Sequence, residues 1–221
     1  MKKFVFVLSL LLAAPAFAQN RTPRYELFGG VTWMRADLSP DLAPLGLAHV
    51  SGMGWNASAT ENVNSWFGAT LDFSGAYARP PIRIPANFVA PGIPPAAITL
   101  SNEVNASAYT YMFGPSFAYR RSERIVPFAR VLLGAATARA NTTSKGAATL
   151  AALGIIIPQK FQDTRFAVMA GGGADVRLSR YIALRGTADW IHTTFRDLGD
   201  DRQNSVRVSG GIVFRFGASP K

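Results

Sequence analysis

The chain has 221 residues, no cysteine and a formal charge of +10; 48% of its residues are apolar and only 16% are charged. That apolar content excludes intrinsic disorder, and so little charge is unusual for a soluble globule, where about a quarter of residues carry it. A polytopic helical membrane protein needs runs of about 20 apolar residues, and the one run approaching that length lies at the N-terminus. There, Lys2 and Lys3 precede the apolar stretch Phe4 to Ala14, and Ala16-Phe17-Ala18 offers a small-x-small cleavage site. This is the pattern of a secretory signal peptide, residues 1–18, which leaves 19–221 as one exported domain. Disulfides are permitted on that route, yet none can form.

The exported part reads as eight strands. In Tyr25 to Met34, Tyr25, Leu27, Gly29, Val31 and Trp33 alternate with Glu26, Phe28, Gly30, Thr32 and Met34. Met53 to Glu61 is a weaker segment. Trp66 to Tyr77 sets Phe67, Ala69, Leu71, Phe73 and Tyr77 against Gly68, Thr70, Asp72 and Ser74. Ala108 to Tyr119 carries Tyr109, Tyr111, Phe113, Phe117 and Tyr119 on one face. Ile125 to Thr137 opposes Ala129, Val131, Leu133 and Ala135 to Arg130, although Phe128 and Leu132 share the arginine's face. Phe166 to Leu178 and Tyr181 to Phe195 follow, and Asn204 to Phe216 closes with Val206, Val208, Gly210, Ile212, Phe214 and Phe216 opposite Arg207, Ser209, Val213 and Arg215. Period-two alternation of this kind is a strand with one apolar and one polar face.

The connections alternate between tight turns (62–64, 120–124, 179–180) and long loops (35–52, 78–107, 138–165), with an intermediate one at 196–203. Aromatics fall near strand ends. Trp33, Trp55, Tyr77, Tyr109 and Trp190 lie toward the long loops, and Tyr25, Trp66, Tyr119 and Tyr181 toward the short turns. Two aromatic girdles bounding an apolar band are expected at membrane interfaces. The fold class read here is all-β: an eight-stranded antiparallel transmembrane up-and-down β-barrel, closed because hydrocarbon tolerates no free sheet edge.

With its signal-like N-terminus, Glu26-Leu27-Phe28-Gly29-Gly30, Phe113-Gly114-Pro115, Val126-Pro127-Phe128, Gly171 to Val176 and the closing Gly211 to Phe216, the chain resembles the small outer-membrane barrels of the OmpA/OmpX type. The resemblance spans nearly all of residues 19–221. It implies residence in the outer membrane of a Gram-negative-type bacterium after export by the secretory pathway. It also implies barrel-assembly machinery and periplasmic chaperones as biogenesis partners, with Val208, Ile212, Phe214 and Phe216 as the assembly strand. Five residues follow Phe216, where many such barrels end on the aromatic. The peptidoglycan-binding domain that OmpA carries after its barrel is not expected here.

On the inward face, Glu26, Asp72, Asp175 and Asp189 meet Arg130, Arg177, Arg185, Arg207 and Arg215. An eight-stranded lumen is barely wide enough for side chains, so these charges must pair. Two readings stay open: a structural polar plug, or a narrow small-solute or ion pore in which a pair breaks to conduct. Inward glycines, among them Gly30, Gly54, Gly134, Gly171, Gly173 and Gly211, are expected to make room for the arginine side chains. His49 is read into the first long loop. His192 with Thr194 is a weak counterpart of the His and Ser that outer-rim lipid hydrolases use, since no third group stands beside them. A lipid-modifying enzyme is therefore the third reading, and no catalytic residue is assigned.

Two distant histidines and no cysteine give no metal site, no cofactor is expected, and Gly171-Gly172-Gly173 lacks the context of a phosphate loop. Arginines spread over all strands do not make a nucleic-acid groove. Arg35, Arg79, Arg83, Arg139, Arg165, Arg196 and Arg202 would face outer-leaflet lipid, with lipopolysaccharide phosphates as counter-charge. The Pro-rich apolar loop 78–107 and a short helix over 147–157 would cap the barrel or bind an extracellular ligand. The expected role is structural or surface interaction without catalysis.

Overall fold

The computed structural model describes residues 22–37, 48–84, 98–100, 103–122, 124–152, 160–195 and 203–217. The signal-like segment and the rim arginines Arg196 and Arg202 lie outside them, as do the tips of the long loops. The elements in chain order are β1 (Tyr25–Asp37), β2 (His49–Asn62), β3 (Phe67–Ala78), β4 (Ile82–Ile84), β5 (Ile98–Leu100), β6 (Val104–Ala118), β7 (Ile125–Thr142), α1 (Ser144–Ala152), β8 (Lys160–Arg177), β9 (Ile182–Thr193) and β10 (Gln203–Phe216).

Eight of these strands form one closed antiparallel barrel in the order β1-β10-β9-β8-β7-β6-β3-β2, and β4 and β5 pair as a separate two-stranded sheet in the third-to-fourth connection. Every barrel strand neighbours the next in sequence, so the topology is up-and-down. Closure is made by β1 against β10, from Tyr25↔Phe216 to Ala36↔Ser205. Pro115 has no N–H to give, and the β6–β7 ladder passes from Phe113↔Leu133 to Ser116↔Arg130 across it.

Alternation fixes the faces. Leu71, Phe113, Val131, Leu133, Leu184 and Ile212 are exposed on the outside, whereas Asp72, Met112, Leu132 and Val213 beside them are buried within. An apolar outer surface around a buried charged interior is stable when the surroundings are hydrocarbon.

Five strands outrun the sequence-based spans at the long-loop end. β1 runs on to Asp37, β2 starts at His49, β6 at Val104 and β8 at Lys160, and β7 continues to Thr142. His49 is thus a strand residue, not a loop one. Residues 160–166 of β8 pair with β7, while the β8–β9 ladder begins at Ala167↔Thr193, so the β7–β8 hairpin stands taller than β9, whereas β6 accompanies β7 up to Val104↔Thr142. At the other end Trp66, Tyr119 and Tyr181 lie in turns just beyond the strands. The helix occupies Ser144–Ala152, earlier than expected, and residues 153–159 lie outside the described ones.

The inward glycines need correction. A Cβ on Gly54, Gly134 or Gly173 would collide with the backbone carbonyl of Gly75, Tyr111 or Gly186. They permit close approach of neighbouring strands at the inner face of a tightly curved sheet, rather than space for arginines. Gly173→Ala is expected to lower stability in urea by about 1–3 kcal/mol, the cost of overpacking. Gly186→Ala, whose Cβ would meet nothing within 4 Å, is expected to leave the urea midpoint in place.

Candidate functional site

The middle of the lumen is closed by a ring of two acids and two arginines. Asp189 and Arg207 are direct cross-strand partners on β9 and β10. Arg207 donates from Nε and Nη2 to Asp189 Oδ2 at 3.2 and 2.9 Å, and from Nη1 to Asp72 Oδ1 at 2.8 Å. Arg130 grips Asp189 with two bonds, Nε to Oδ1 at 3.0 Å and Nη2 to Oδ2 at 2.8 Å, and reaches Asp72 Oδ2 at 3.1 Å. Gly171 lies between Arg130 and Asp189 in the ladder, and a Cβ there would collide with the Asp189 carboxylate. Here alone among these glycines the missing side chain does serve the ion pair. Asn56 Nδ2 adds bonds to both Asp72 oxygens at 3.1 and 3.2 Å. All four charged side chains are buried to 2% exposure or less. The ring is neutral, as paired charges in so confined a space must be.

A second cluster lies toward the short turns. Arg185 donates to Asp175 at 2.6 and 2.8 Å and to Glu26 Oε2 at 2.7 Å, while its guanidinium lies over the Phe128 ring, 4.6 Å from the centroid. Glu26 also accepts from Arg120 at 3.0 Å and from Asn62 at 3.1 Å. Arg215 is buried beside it as the cross-strand partner of Glu26, and Arg177 is half-buried at the same end. The void between the two clusters is about 20 Å³, room for roughly one water.

Arg120, Asn56 and Asn62 were not among the sequence-derived lumen residues. Arg120 stands two residues past the end of β6, and strand parity marks it: Ser116 and Ala118 point inward, so residue 120 does too. Arg120→Ala is expected to cost about 1–3 kcal/mol, because it leaves Glu26 with one arginine fewer. A urea unfolding series in lipid vesicles reads this.

Toward the long loops the lumen changes character. Met34, Ala76, Met112, Leu132, Ala136, Ala167, Met169, Ile191 and Phe195 form one buried apolar cluster. A lumen polar along its whole length is therefore not what this chain builds; the charged groups hold the middle and the short-turn end only.

The outward aromatics are tied to one another. Trp55 Nε1 donates to the Tyr77 hydroxyl at 3.3 Å, Tyr77 meets Tyr109 edge-on at 6.0 Å, and Arg139 lies over Tyr109. At the other girdle Trp66, Phe67 and Phe117 pack together, and Tyr25 meets Phe216 at 5.6 Å across the closing seam. Trp33 and Trp190 are exposed on the outside, as are Tyr119 beyond β6 and Val208, Ile212 and Phe214 on β10; Tyr181 lies under the Arg180 guanidinium at 4.7 Å. His192 has a partner the sequence did not reveal: its Nδ1 lies 2.9 Å from Asn204 Oδ1, and its ring stacks on Trp190. The Thr194 hydroxyl instead donates to the Phe166 carbonyl at 3.4 Å.

A closed eight-stranded barrel with an apolar belt, two aromatic girdles and buried charges defines a transmembrane barrel of the outer-membrane class. A family model described as Outer membrane protein beta-barrel domain matches residues 4–216, and the chain belongs to that family, which puts it in the outer membrane. Among solved structures it is similar to Neisserial surface protein A, at a TM-score of 0.59 and 11% identity over 87% of this chain and 97% of that one. It is also similar to the outer membrane protein OprG from Pseudomonas aeruginosa, at 0.55 and 11% over 90% and 98%. At such identities the likeness is one of fold. No match is found among curated proteins.

Proposed function

We propose that this barrel is a non-conducting, non-enzymatic component of the outer membrane, acting in envelope integrity and in surface contacts through its long loops. The observation that carries this reading is the neutral Asp72–Asp189–Arg130–Arg207 ring, which spans the lumen from β3 and β7 to β9 and β10. An ion would have to break fully desolvated pairs to pass, one of them the bidentate Arg130–Asp189 pair, and such pairs are costly to separate. Purified protein in planar bilayers is expected to give no stable open-channel currents; stable unitary conductance would favour the narrow-pore reading instead.

The lipid-modifying reading gains a third group in Asn204 beside His192, but the Thr194 hydroxyl donates to the Phe166 carbonyl and not to the imidazole. Lipid-hydrolysing activity that disappears with His192→Ala would restore it. On the long-loop side, Arg79 donates to Asn105 and Arg139 covers Tyr109; their charges at the girdle support lipopolysaccharide phosphates as neighbours. Export by the secretory pathway, chaperone escort and machine-assisted insertion through the β10 strand belong to the same reading.

A further inference from the structure

Above the outer girdle the polarity of the wall inverts. In β7, Val131 and Leu133 face out and Arg130 faces in; higher up, Arg139 and Asn141 face out and Ala136, Ala138 and Ala140 face in. In β6, Asn105 and Ser107 lie outside and Val104 and Ala106 inside; in β1, Arg35 and Asp37 lie outside and Met34 and Ala36 inside. Along β1, β6 and β7 this part of the barrel is built like a soluble ligand-binding barrel, with a wet exterior and an apolar interior; β8 departs from that, with the ion-paired Asp163 and Arg165 in register with Ala138 and Ala136. The inner side chains of this part are mostly alanines, too small to fill it. They leave a cavity of about 250 Å³ whose floor is lined by Met34, Ala76, Thr110, Ala136 and Ile191; all of these but Thr110 belong to the same buried cluster as Met112, Leu132 and Met169, which packs beneath.

We propose that this cup is a binding site for a small, uncharged, mainly apolar solute from the external medium, of bicyclic-aromatic size. An apolar cavity of about 150 Å³ already takes up benzene, so this one has room for a second ring. Lipid acyl chains are the wrong source, because the cup is enclosed by the barrel wall, with its floor level with Trp55, Tyr77 and Tyr109 and the rest on their loop side. The sealed floor makes it a site for capture and not a passage. Only that last point rests on the closed lumen, and conductance tests it separately.

The methionines provide the readout. Met34 lines the cup, Met112 and Met169 lie in the buried cluster beneath its floor, and Met53 is exposed on the outer face. Protein labelled at the methionine methyls is placed in lipid nanodiscs and titrated with 1-naphthol. The Met34 signal is expected to shift and saturate, with smaller shifts at Met112 and Met169, while Met53 drifts linearly as the probe partitions into lipid. Ala138→Phe and, separately, Ala106→Phe fill the cup from different strands. Each is expected to abolish the Met34 response and keep the Met53 drift, with heat-modifiable gel migration reporting that the variant is folded. A Met34 signal that stays still or follows Met53 without saturating would overturn the proposal, as would filled, folded variants that respond like the parent.

Discussion

Asp189→Ala is expected to destabilise the barrel by about 3–5 kcal/mol, the loss typical of a buried ion pair stripped of one partner. Asp189 accepts from both Arg130 and Arg207, so its removal leaves two guanidiniums in the dry centre with only Asp72 between them. Urea unfolding in lipid vesicles, followed by the heat-modifiable gel shift, measures this. The companion experiment replaces the whole ring, with Asp72→Leu, Asp189→Leu, Arg130→Met and Arg207→Met together. Matched apolar groups remove the desolvation penalty along with the attraction, so this variant is expected to be as stable as the parent or more so. If the single variant melts like the parent while its bilayer conductance rises sharply, the ring is a gate and not a plug.

Leu71→Arg is the second large effect expected, about 2–4 kcal/mol against folding into a bilayer, because Leu71 lies near the middle of β3 on the lipid face. The same substitution at Phe216, at the strand end, is expected to cost about 0–1 kcal/mol, since arginine can reach the interface there. Equal losses at both sites would argue that the outer face does not sit in a depth-graded hydrocarbon slab.

The barrel was readable because one rule held along most of every strand. Apolar residues at alternate positions must face lipid, so Val131 and Leu133 located the outside even though Phe128 and Leu132 blurred β7. That rule also hid what lies above the membrane. Where Ala138-Arg139-Ala140-Asn141 continues β7, the outer residue is the polar one, and the alternation changes phase without leaving the strand. Alternation with an apolar outer face stops there, which is why β1, β2, β6 and β7 proved longer and the apolar cup went unseen; β8 ran on unnoticed because its extension is polar on both faces, with Asp163 and Arg165 inward and Lys160, Gln162 and Thr164 outward. The charged residues announced themselves by type and parity, but their pairing did not. Nothing in the sequence says that Arg130 reaches across Gly171 to Asp189, because that contact depends on the register between β7, β8 and β9. The His192–Asn204 bond depends in the same way on the β9–β10 register.

The most direct measurement of the central claim uses the alanines, which line both faces. Protein labelled at the alanine methyls is reconstituted with lipids that carry a nitroxide on the acyl chain. Ala129, Ala135, Ala170 and Ala188, on the outside, are expected to broaden strongly, and the buried Ala136, Ala167 and Ala183 much less. The contrast between the neighbours Ala135 and Ala136 is the sharpest single comparison. Equal broadening at those two methyls, or stronger broadening at the buried set, would contradict a barrel that wears its apolar residues on every second position toward lipid.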